Sequence, residues 1–331
     1  MIDRPDVLVL GAGGALGERW MHGVLAGVEH ATGIALSATE QLVGTSAGAI
    51  VAAHLLAGRA PVGPADAASL VSELAAEGGA DAGATDAGAA SGVPGRARRL
   101  IGALPRGAGR LARGAAAPLA PYALAATRPP GALLRANVLG RIDAPRATLD
   151  ELGRRLARDE LRFDGRLRVV CVERESGRRV VFGAPGAPPA TVAEAVQASC
   201  SVPWLYRPVT IGEHEYVDGG LWSPTSIDVA PAARETRVLC LNPTGSSGGD
   251  VARAPRTESV VGVIRTTSRS AAALEATTLR SRGAEVTVVA PDRAAAAALA
   301  GGWVGQTGAD PAEQAVAAGF RQGVALGRAD G

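Results

Sequence analysis

Ser46 lies between two glycines and is the residue of this chain best placed to act as a nucleophile. The pattern Gly-x-Ser-x-Gly, from Gly44 to Gly48, separates an apolar run typical of a strand from an apolar run typical of a helix. A nucleophile elbow needs this context, because the chain turns sharply there and exposes one hydroxyl. The helix predicted to begin near Ala47 would direct its N–H groups towards a developing oxyanion. The alternative interpretation is a Ser/Gly helix start without chemistry.

A second glycine-rich turn, Gly11 to Gly17, follows a short strand pattern and precedes an apolar helix pattern. This arrangement presents backbone N–H groups to an anion. One interpretation is a dinucleotide-binding loop, but position 16 is leucine and no strand ends in an acidic residue at the required distance. The other is an oxyanion hole in which Gly13 and Gly14 supply the N–H groups. The oxyanion hole is favoured because Ser46 follows one helix and one strand later.

The third pattern is Asp218-Gly219-Gly220, which closes the extended segment Val209–Val217. An Asp-Gly-Gly corner is usually only a turn, since both residue types favour turn geometry. In the company of the two glycine patterns, however, Asp218 becomes the candidate general base for Ser46.

Together the three patterns resemble the patatin-like phospholipase family. They occur in the same order as in that family, and the small residues and proline of Ala198–Pro203 match as well. The resemblance covers residues 7–58 and 191–243. The chain departs from the family at Leu16, where many members carry a basic residue, so backbone N–H groups are expected to be the main oxyanion stabilisers.

The resemblance implies an α/β protein with the patatin-like three-layer fold, a central mostly parallel sheet and a long insertion after the nucleophile helix. It implies a Ser46–Asp218 dyad, with an oxyanion hole at Gly13, Gly14 and Ala47 and with no metal or cofactor. The motif glycines it identifies are Gly11, Gly17, Gly44, Gly48, Gly219 and Gly220.

The four histidines favour a dyad over a triad. Conventional α/β-hydrolases place the triad histidine after the acid, but no histidine follows His214 in this chain. The serine also comes after only about two strands, which is too early for that fold. His22, His30 and His54 lie in the two predicted helices and are interpreted as structural or surface residues.

Composition excludes several other classes of function. The net charge is only +2, so no general nucleic-acid binding is expected. All 34 basic residues are arginine, which is weak evidence of function. Cys171, Cys200 and Cys240 lie in or beside apolar runs without metal-ligand spacing, which is typical of reduced core cysteines in the cytosol. Neither a signal peptide nor an apolar run long enough to span a membrane is expected. We therefore predict a cytoplasmic protein, in peripheral contact with the inner membrane surface.

The chain is predicted to form one domain over residues 1–331, with an Ala/Gly/Pro/Arg-rich insertion over residues 60–142. Residues 87–142 contain nine arginines and no acidic residue, and leucines and isoleucines lie between the arginines. A basic stretch of this kind can bind an anionic membrane surface. The alternative is a solvated insertion, because prolines interrupt any long amphipathic helix. Its position between nucleophile and base would suit a lid or a substrate-access element.

The sequence therefore predicts a serine acyl hydrolase acting on lipid esters, of phospholipase A or lysophospholipase type. Two alternatives remain open. One is a catalytically silent lipid-binding module, and the other is a nucleotide-binding oxidoreductase that uses the glycine loop for a pyrophosphate.

Overall fold

The computed structural model describes residues 3–66, 131–245, 258–301 and 310–328. The strands are β1 (Val7–Leu10), β2 (Gln41–Thr45), β3 (Leu167–Glu173), β4 (Arg179–Phe182), β5 (Val209–Ile211), β6 (His214–Asp218), β7 (Arg237–Leu241) and β8 (Glu285–Val289). The helices are α1 (Gly14–Thr32), α2 (Ala47–Leu56), α3 (Ala132–Gly140), α4 (Asp150–Arg158), α5 (Val192–Cys200), α6 (Glu258–Arg280), α7 (Arg293–Gly301) and α8 (Pro311–Arg328).

The described strands form one mixed sheet in the order β5-β6-β3-β2-β1-β7-β8, with β4 also paired to β3. The five strands from β3 through β2, β1 and β7 to β8 are parallel to one another. Strands β4, β5 and β6 pair in antiparallel fashion at the β3 end. Parallel neighbours need long crossover connections, which here include helices. The predicted α/β class and mostly parallel sheet are confirmed.

Both faces of the central strands are buried, because successive side chains point to opposite sides of a sheet. In β1, Leu8 and Leu10 belong to one apolar cluster, and Val7 and Val9 belong to the other. All four side chains are almost completely inaccessible to solvent. A continuous apolar run in the sequence therefore marks a central strand with helices on each side.

Helices cover these two clusters and complete three layers. On the first face, α1, α2 and α5 contribute residues such as Trp20, Val51 and Val196. On the second face, α6 contributes Ala272 and Leu279. The sheet is thus held between two helical layers, in agreement with the predicted three-layer arrangement.

Helix α8 packs against α1 with almost no side-chain material between the two backbones. A Cβ atom on Gly23 of α1 would lie 2.2 Å from the carbonyl oxygen of Val316, and one on Gly323 of α8 would lie 2.1 Å from that of Val24. Real side chains cannot occupy such positions, so glycine is required for this close approach. The last described helix is therefore fitted to the helix that follows the glycine loop.

The sequence also predicts strands over residues 167–172, 179–182, 237–241 and 285–290 and helices over 64–76, 148–158, 191–200 and 311–326. Apart from the helix over 64–76, each of these occurs within two residues of its expected ends. Three helices that the sequence analysis did not predict are α3, α6 and α7. Helix α3 lies near the end of residues 60–142, where the sequence predicts no helix. Its Arg135 is completely buried, with the guanidinium 4.3 Å from the ring centre of Trp222. A helix expected from Pro64 is described only as far as residue 66, and the arginine-rich residues 87–130 lie outside the described residues.

In the part of the chain that the structure describes, no helix is both long and apolar enough to cross a bilayer. The three cysteines are free thiols, with Cys171 and Cys240 buried and Cys200 half-buried. Burial raises the pKa of all three thiols well above the ordinary value, so each is uncharged at neutral pH.

Candidate active site

The candidate nucleophile and base meet because their strands end beside consecutive residues of β3. Strand β2 pairs with β3 as far as Thr45, which lies opposite Val170. Strand β6 runs in the other direction and reaches Asp218 opposite Cys171. Strand β4 pairs with one edge of β3 at both Val170 and Cys171. Strands β2 and β6 therefore lie on the opposite edge of β3, and their ends face each other. Ser46, directly after β2, is therefore brought to Asp218 although 172 residues separate them.

Ser46 occupies a sharp turn between β2 and α2. Its φ is 54° and its ψ is −125°, a combination that non-glycine residues rarely adopt and that costs about 1–3 kcal/mol. The flanking glycines allow close backbone approach. A Cβ on Gly44 would lie 2.5 Å from Cα of Ala49, and one on Gly48 would lie 2.0 Å from the carbonyl oxygen of Leu10. This geometry is that of a nucleophile elbow.

The Ser46 hydroxyl donates a hydrogen bond to Oδ2 of Asp218, with an oxygen–oxygen distance of 2.6 Å. The other carboxylate oxygen, Oδ1, accepts the N–H of Gly220 at 2.6 Å. Gly219 allows this turn to pack closely, since a Cβ there would lie 2.2 Å from the Val170 carbonyl oxygen. Both oxygens of the carboxylate are thus held, and one is in direct contact with the hydroxyl that it would deprotonate.

Burial controls the acidity of Asp218, which is 1% exposed. Desolvation raises the pKa of Asp218 from 3.8 to about 6, although the hydrogen bonds from Ser46 and Gly220 oppose this shift. A carboxylate with a pKa near 6 is a stronger base than an ordinary aspartate and is still largely ionised at neutral pH. It therefore combines the protonation state and the basicity that a general base requires.

We expect the activity to depend on a single ionisation near pH 6. Asp218 can accept a proton only when it is ionised, so kcat/KM should fall as the pH is lowered through about 6 and should be level above it. The measurement is hydrolysis of a soluble ester between pH 4.5 and 8, with circular dichroism at each pH to confirm that the protein is folded. A profile that stays level down to pH 4.5 would contradict an Asp218 base with a raised pKa.

The glycine loop after β1 is held at its start by two backbone hydrogen bonds. The N–H of Gly11 donates to the Leu241 carbonyl at 2.9 Å, and the N–H of Ala12 donates to the Pro224 carbonyl at 2.7 Å. The loop is thereby tied to β7 and to the segment that follows Asp218. Its position relative to the candidate base is set by main-chain contacts.

The next N–H groups of the loop are available to a ligand. Within the described residues, the N–H groups of Gly13, Gly14 and Ala47 have no acceptor. They lie at the start of α1 and α2, where the first N–H groups have no partner inside the helix. Gly14 has a φ of 61°, and a Cβ on Gly13 or Gly17 would come within 2.6 or 3.0 Å of the Pro243 side chain. The start of α2 packs on the same loop through Gly48.

The histidines lie elsewhere. His22 and His54 contact each other on α1 and α2, with ring centres 5.7 Å apart, and His22 accepts the N–H of Val62 at 3.3 Å. Burial lowers the pKa of His22 to about 3 and that of His54 to about 4, so both are neutral. His214 is half exposed, with Nδ1 3.3 Å from Glu173. Among the described residues, none of the histidines forms a hydrogen bond with Ser46 or Asp218.

Two residues at the end of α5 also contact the site, and the sequence analysis assigned them no role. Ser199 accepts the Ser46 N–H on its hydroxyl at 2.8 Å, and the Ser201 carbonyl accepts the Asp218 N–H at 3.0 Å. Both belong to Ala198–Pro203, the segment that was singled out by its resemblance to the family. The family resemblance indicated that this segment matters, but it did not indicate which contacts its residues make.

Leu16 is half-buried on the first turn of α1, so no cationic side chain is present at that position of the loop. Within the described ranges, no group of three or more His, Cys, Asp or Glu residues is arranged to hold a metal ion. The groups that the structure brings together at the site are a serine hydroxyl, a buried carboxylate and backbone N–H donors.

Comparison with known proteins assigns the sequence of this chain to a family. Comparison with curated protein sequences found no match. Among solved structures, VipD from Legionella pneumophila is similar, with 16% identity and a TM-score of 0.47, over 99% of this chain and 67% of that chain. This likeness is too distant to carry an argument about activity. The sequence model described as patatin-like phospholipase matches residues 8–231, more than half of the 331 residues. The chain therefore belongs to the patatin-like phospholipase family.

Proposed function

We propose that this protein is a serine acyl hydrolase that cleaves carboxyl esters of lipids, of phospholipase A or lysophospholipase type, through a Ser46–Asp218 dyad. The observation that carries the proposal is the 2.6 Å hydrogen bond from the hydroxyl of the elbow serine to a buried carboxylate. Members of the family are lipid acyl hydrolases, which supports an ester of a lipid as the substrate.

In the first half of the proposed reaction, Asp218 takes the hydroxyl proton of Ser46 as the serine oxygen attacks the ester carbonyl carbon. The carbonyl oxygen becomes negatively charged and accepts hydrogen bonds from the N–H groups of Gly13, Gly14 and Ala47. When the tetrahedral intermediate collapses, the bond to the alcohol breaks, and protonated Asp218 returns its proton to the leaving alkoxide. The products are the free alcohol and an acyl group on Ser46.

In the second half, water replaces the alcohol. Ionised Asp218 takes a proton from the water, whose oxygen attacks the acyl carbon, and the same N–H groups stabilise the second oxyanion. Collapse releases the carboxylic acid and returns the proton to the Ser46 oxygen. Asp218 acts as the base in both half-reactions, and its raised pKa makes the carboxylate more basic than an ordinary aspartate.

Labelling with a fluorophosphonate tests the proposal, because this probe forms a covalent bond with activated serines only. We expect wild-type protein to be labelled on Ser46 and Ser46→Ala to remain unlabelled. Liposome binding without labelling or turnover would indicate the silent lipid-binding module. Saturable NAD binding, with Ser46 dispensable, would indicate the oxidoreductase.

We also propose that the protein contacts anionic membranes through its arginine-rich insertion. The charge pattern supports this, since residues 87–142 carry nine arginines and no acidic residue. Among the described residues, α3 lies near the end of this stretch and exposes Leu133 and Leu134, whose exposed fractions are 82% and 51%. Arginines attract anionic headgroups, and exposed leucines can enter the interfacial region of a bilayer. Cytoplasmic location with contact at the inner membrane surface remains part of this proposal.

Binding to anionic liposomes should weaken steeply with salt. Salt screens the attraction between arginines and anionic headgroups, because the Debye length falls from about 10 Å at 0.1 M to about 3 Å at 1 M. Changing Arg96, Arg98, Arg99 and Arg106 to Gln should lower activity on anionic vesicles and spare a soluble ester, which reaches Ser46 by diffusion. Sedimentation with vesicles and parallel assays of the two substrates provide the measurement. An equal loss on both substrates would assign the segment to the fold, and no loss on either would refute the membrane contact.

A further inference from the structure

The end of α5 contacts both members of the candidate dyad through the backbone. The hydroxyl of Ser199 accepts the N–H of Ser46, and the carbonyl of Ser201 accepts the N–H of Asp218. Ser199 and Ser201 are completely buried, so these contacts are shielded from water. The end of one helix therefore contacts the residue that follows β2 and the last residue of β6.

Ser199 is held by two hydrogen bonds that fix the orientation of its hydroxyl. It accepts the Ser46 N–H at 2.8 Å and donates to the carbonyl oxygen of Val170 at 2.7 Å. Val170 is the β3 residue opposite Thr45, the last residue of β2. The hydroxyl of Ser199 thus bridges the N–H of Ser46 to the neighbouring strand at the point where the chain leaves the sheet.

The N–H of Ser46 needs this partner because of the shape of the elbow. Ser46 has a positive φ, a conformation that persists only when its surroundings enforce it. A buried N–H without an acceptor would add an unfavourable contribution to this strained conformation. Without the Ser199 hydroxyl, rotation of the Ser46 backbone towards another acceptor would lower the free energy of the elbow. The Ser46 hydroxyl would move with the backbone.

We propose that Ser199 is a positioning residue that holds the Ser46 backbone in its positive-φ conformation and so keeps the Ser46 hydroxyl directed at Asp218. This rests on the proposed function of Ser46 as the nucleophile. The Ser201 carbonyl accepts the N–H of Asp218, so the end of α5 sets the separation between nucleophile and base.

Ser201 offers a matched control for the side chain. It is also a buried serine at the end of α5, but its hydroxyl donates to the Gln197 carbonyl at 2.9 Å within the same helix. Its contact with Asp218 uses the main chain, which substitution by alanine preserves. Ser199→Ala and Ser201→Ala therefore remove the same atom from the same helix end, and only the first removes a contact to the elbow.

The experiment compares the two variants by the second-order rate of Ser46 labelling with a fluorophosphonate, by kcat and KM on a soluble ester, and by crystal structures. Ser199→Ala should lower the labelling rate and kcat by roughly 10- to 100-fold with KM unchanged, since small misplacements of reacting groups have effects of this size. Its structure should show Ser46 at a changed φ. Ser201→Ala, which keeps the carbonyl contact to Asp218, should leave the φ of Ser46 unaltered and should lower the labelling rate far less than Ser199→Ala does. Ser199→Cys, which keeps the size but accepts hydrogen bonds weakly, should give an intermediate rate even if the alanine variant does not fold.

Equal rates for Ser199→Ala and Ser201→Ala would overturn the proposal, as would an unchanged φ of Ser46 in the Ser199→Ala structure. If wild-type protein does not react with the probe, the proposed function fails. The positioning role would then still be decided by the φ of Ser46 in the two crystal structures.

Discussion

Ser46→Ala should abolish hydrolysis of a p-nitrophenyl ester while leaving the fold intact. The hydroxyl is the atom that forms the covalent acyl bond in the proposed reaction, and alanine offers no substitute. Alanine also fits the site, because the variant removes one oxygen from a residue that is only 5% exposed and adds nothing. The measurement is the rate of p-nitrophenol release, with thermal unfolding to establish that the variant is folded.

Thr277→Ala is the control for this loss, because its exposed hydroxyl donates to the Ala273 carbonyl within α6 and contacts neither Ser46 nor Asp218. It should keep the activity of the wild-type protein. Substantial hydrolysis by Ser46→Ala would refute the acyl-enzyme mechanism and would direct attention to the glycine loop as a ligand site of another kind.

Asp218→Asn should lower kcat by on the order of 10²-fold or more, as the loss of a general base usually does. Asparagine keeps the size of the side chain and can still accept the Gly220 N–H, so the 3-10 turn after β6 should persist. The amide cannot take up the Ser46 proton, and the fall should therefore appear in kcat. Steady-state kinetics on the soluble ester provide the measurement.

Replacement of the histidines provides the comparison. His22 and His54 contact each other on the helices, and His214 lies near Glu173 at the surface, so changing each to Ala should lower kcat far less than Asp218→Asn. If His214→Ala proved as damaging as Asp218→Asn, a Ser-His-Asp triad would have to replace the dyad.

Local sequence patterns were sufficient to locate most elements of the sheet. The apolar runs of β1, β2 and β7 are buried on both faces, and a short apolar run bounded by turn residues is a direct sign of such a strand. The glycine patterns were recognisable because close backbone contacts restrict the residue type at these positions. Gly44 lies against the backbone of α2 and Gly48 against that of β1, so a side chain cannot be accommodated at either position.

The meeting of Ser46 and Asp218 is a property of strand pairing, which local patterns do not report. It depends on β2 and β6 ending beside Val170 and Cys171 of β3, and the family resemblance was the only guide to it in the sequence. The role of Ser199 was missed for a related reason. A serine in a helix usually bonds within that helix, as Ser201 does, and only the tertiary structure reveals that Ser199 bonds to the elbow instead.

Two of the unpredicted helices, α6 and α7, contain several alanines, which weaken the contrast between an apolar and a polar face. Helix α7, Arg293–Gly301, is composed mostly of alanine, so its apolar and polar residues show little periodicity. Helix α6 is long, and its core-facing residues include small ones, Ala272 and Ala276. Small core residues produce a faint periodic signal, because alanine is also common on exposed helix surfaces.

The close contact of α1 and α8 bears on where the folding unit ends. The family match stops at residue 231, but β7, β8 and α8 follow that point. A chain cut there would turn β1 into a bare sheet edge and would uncover the glycine side of α1 around Gly23. The N–H of Gly11 would also lose its acceptor in β7. The segment that carries the family signature is therefore smaller than the set of elements that packs around its glycine loop.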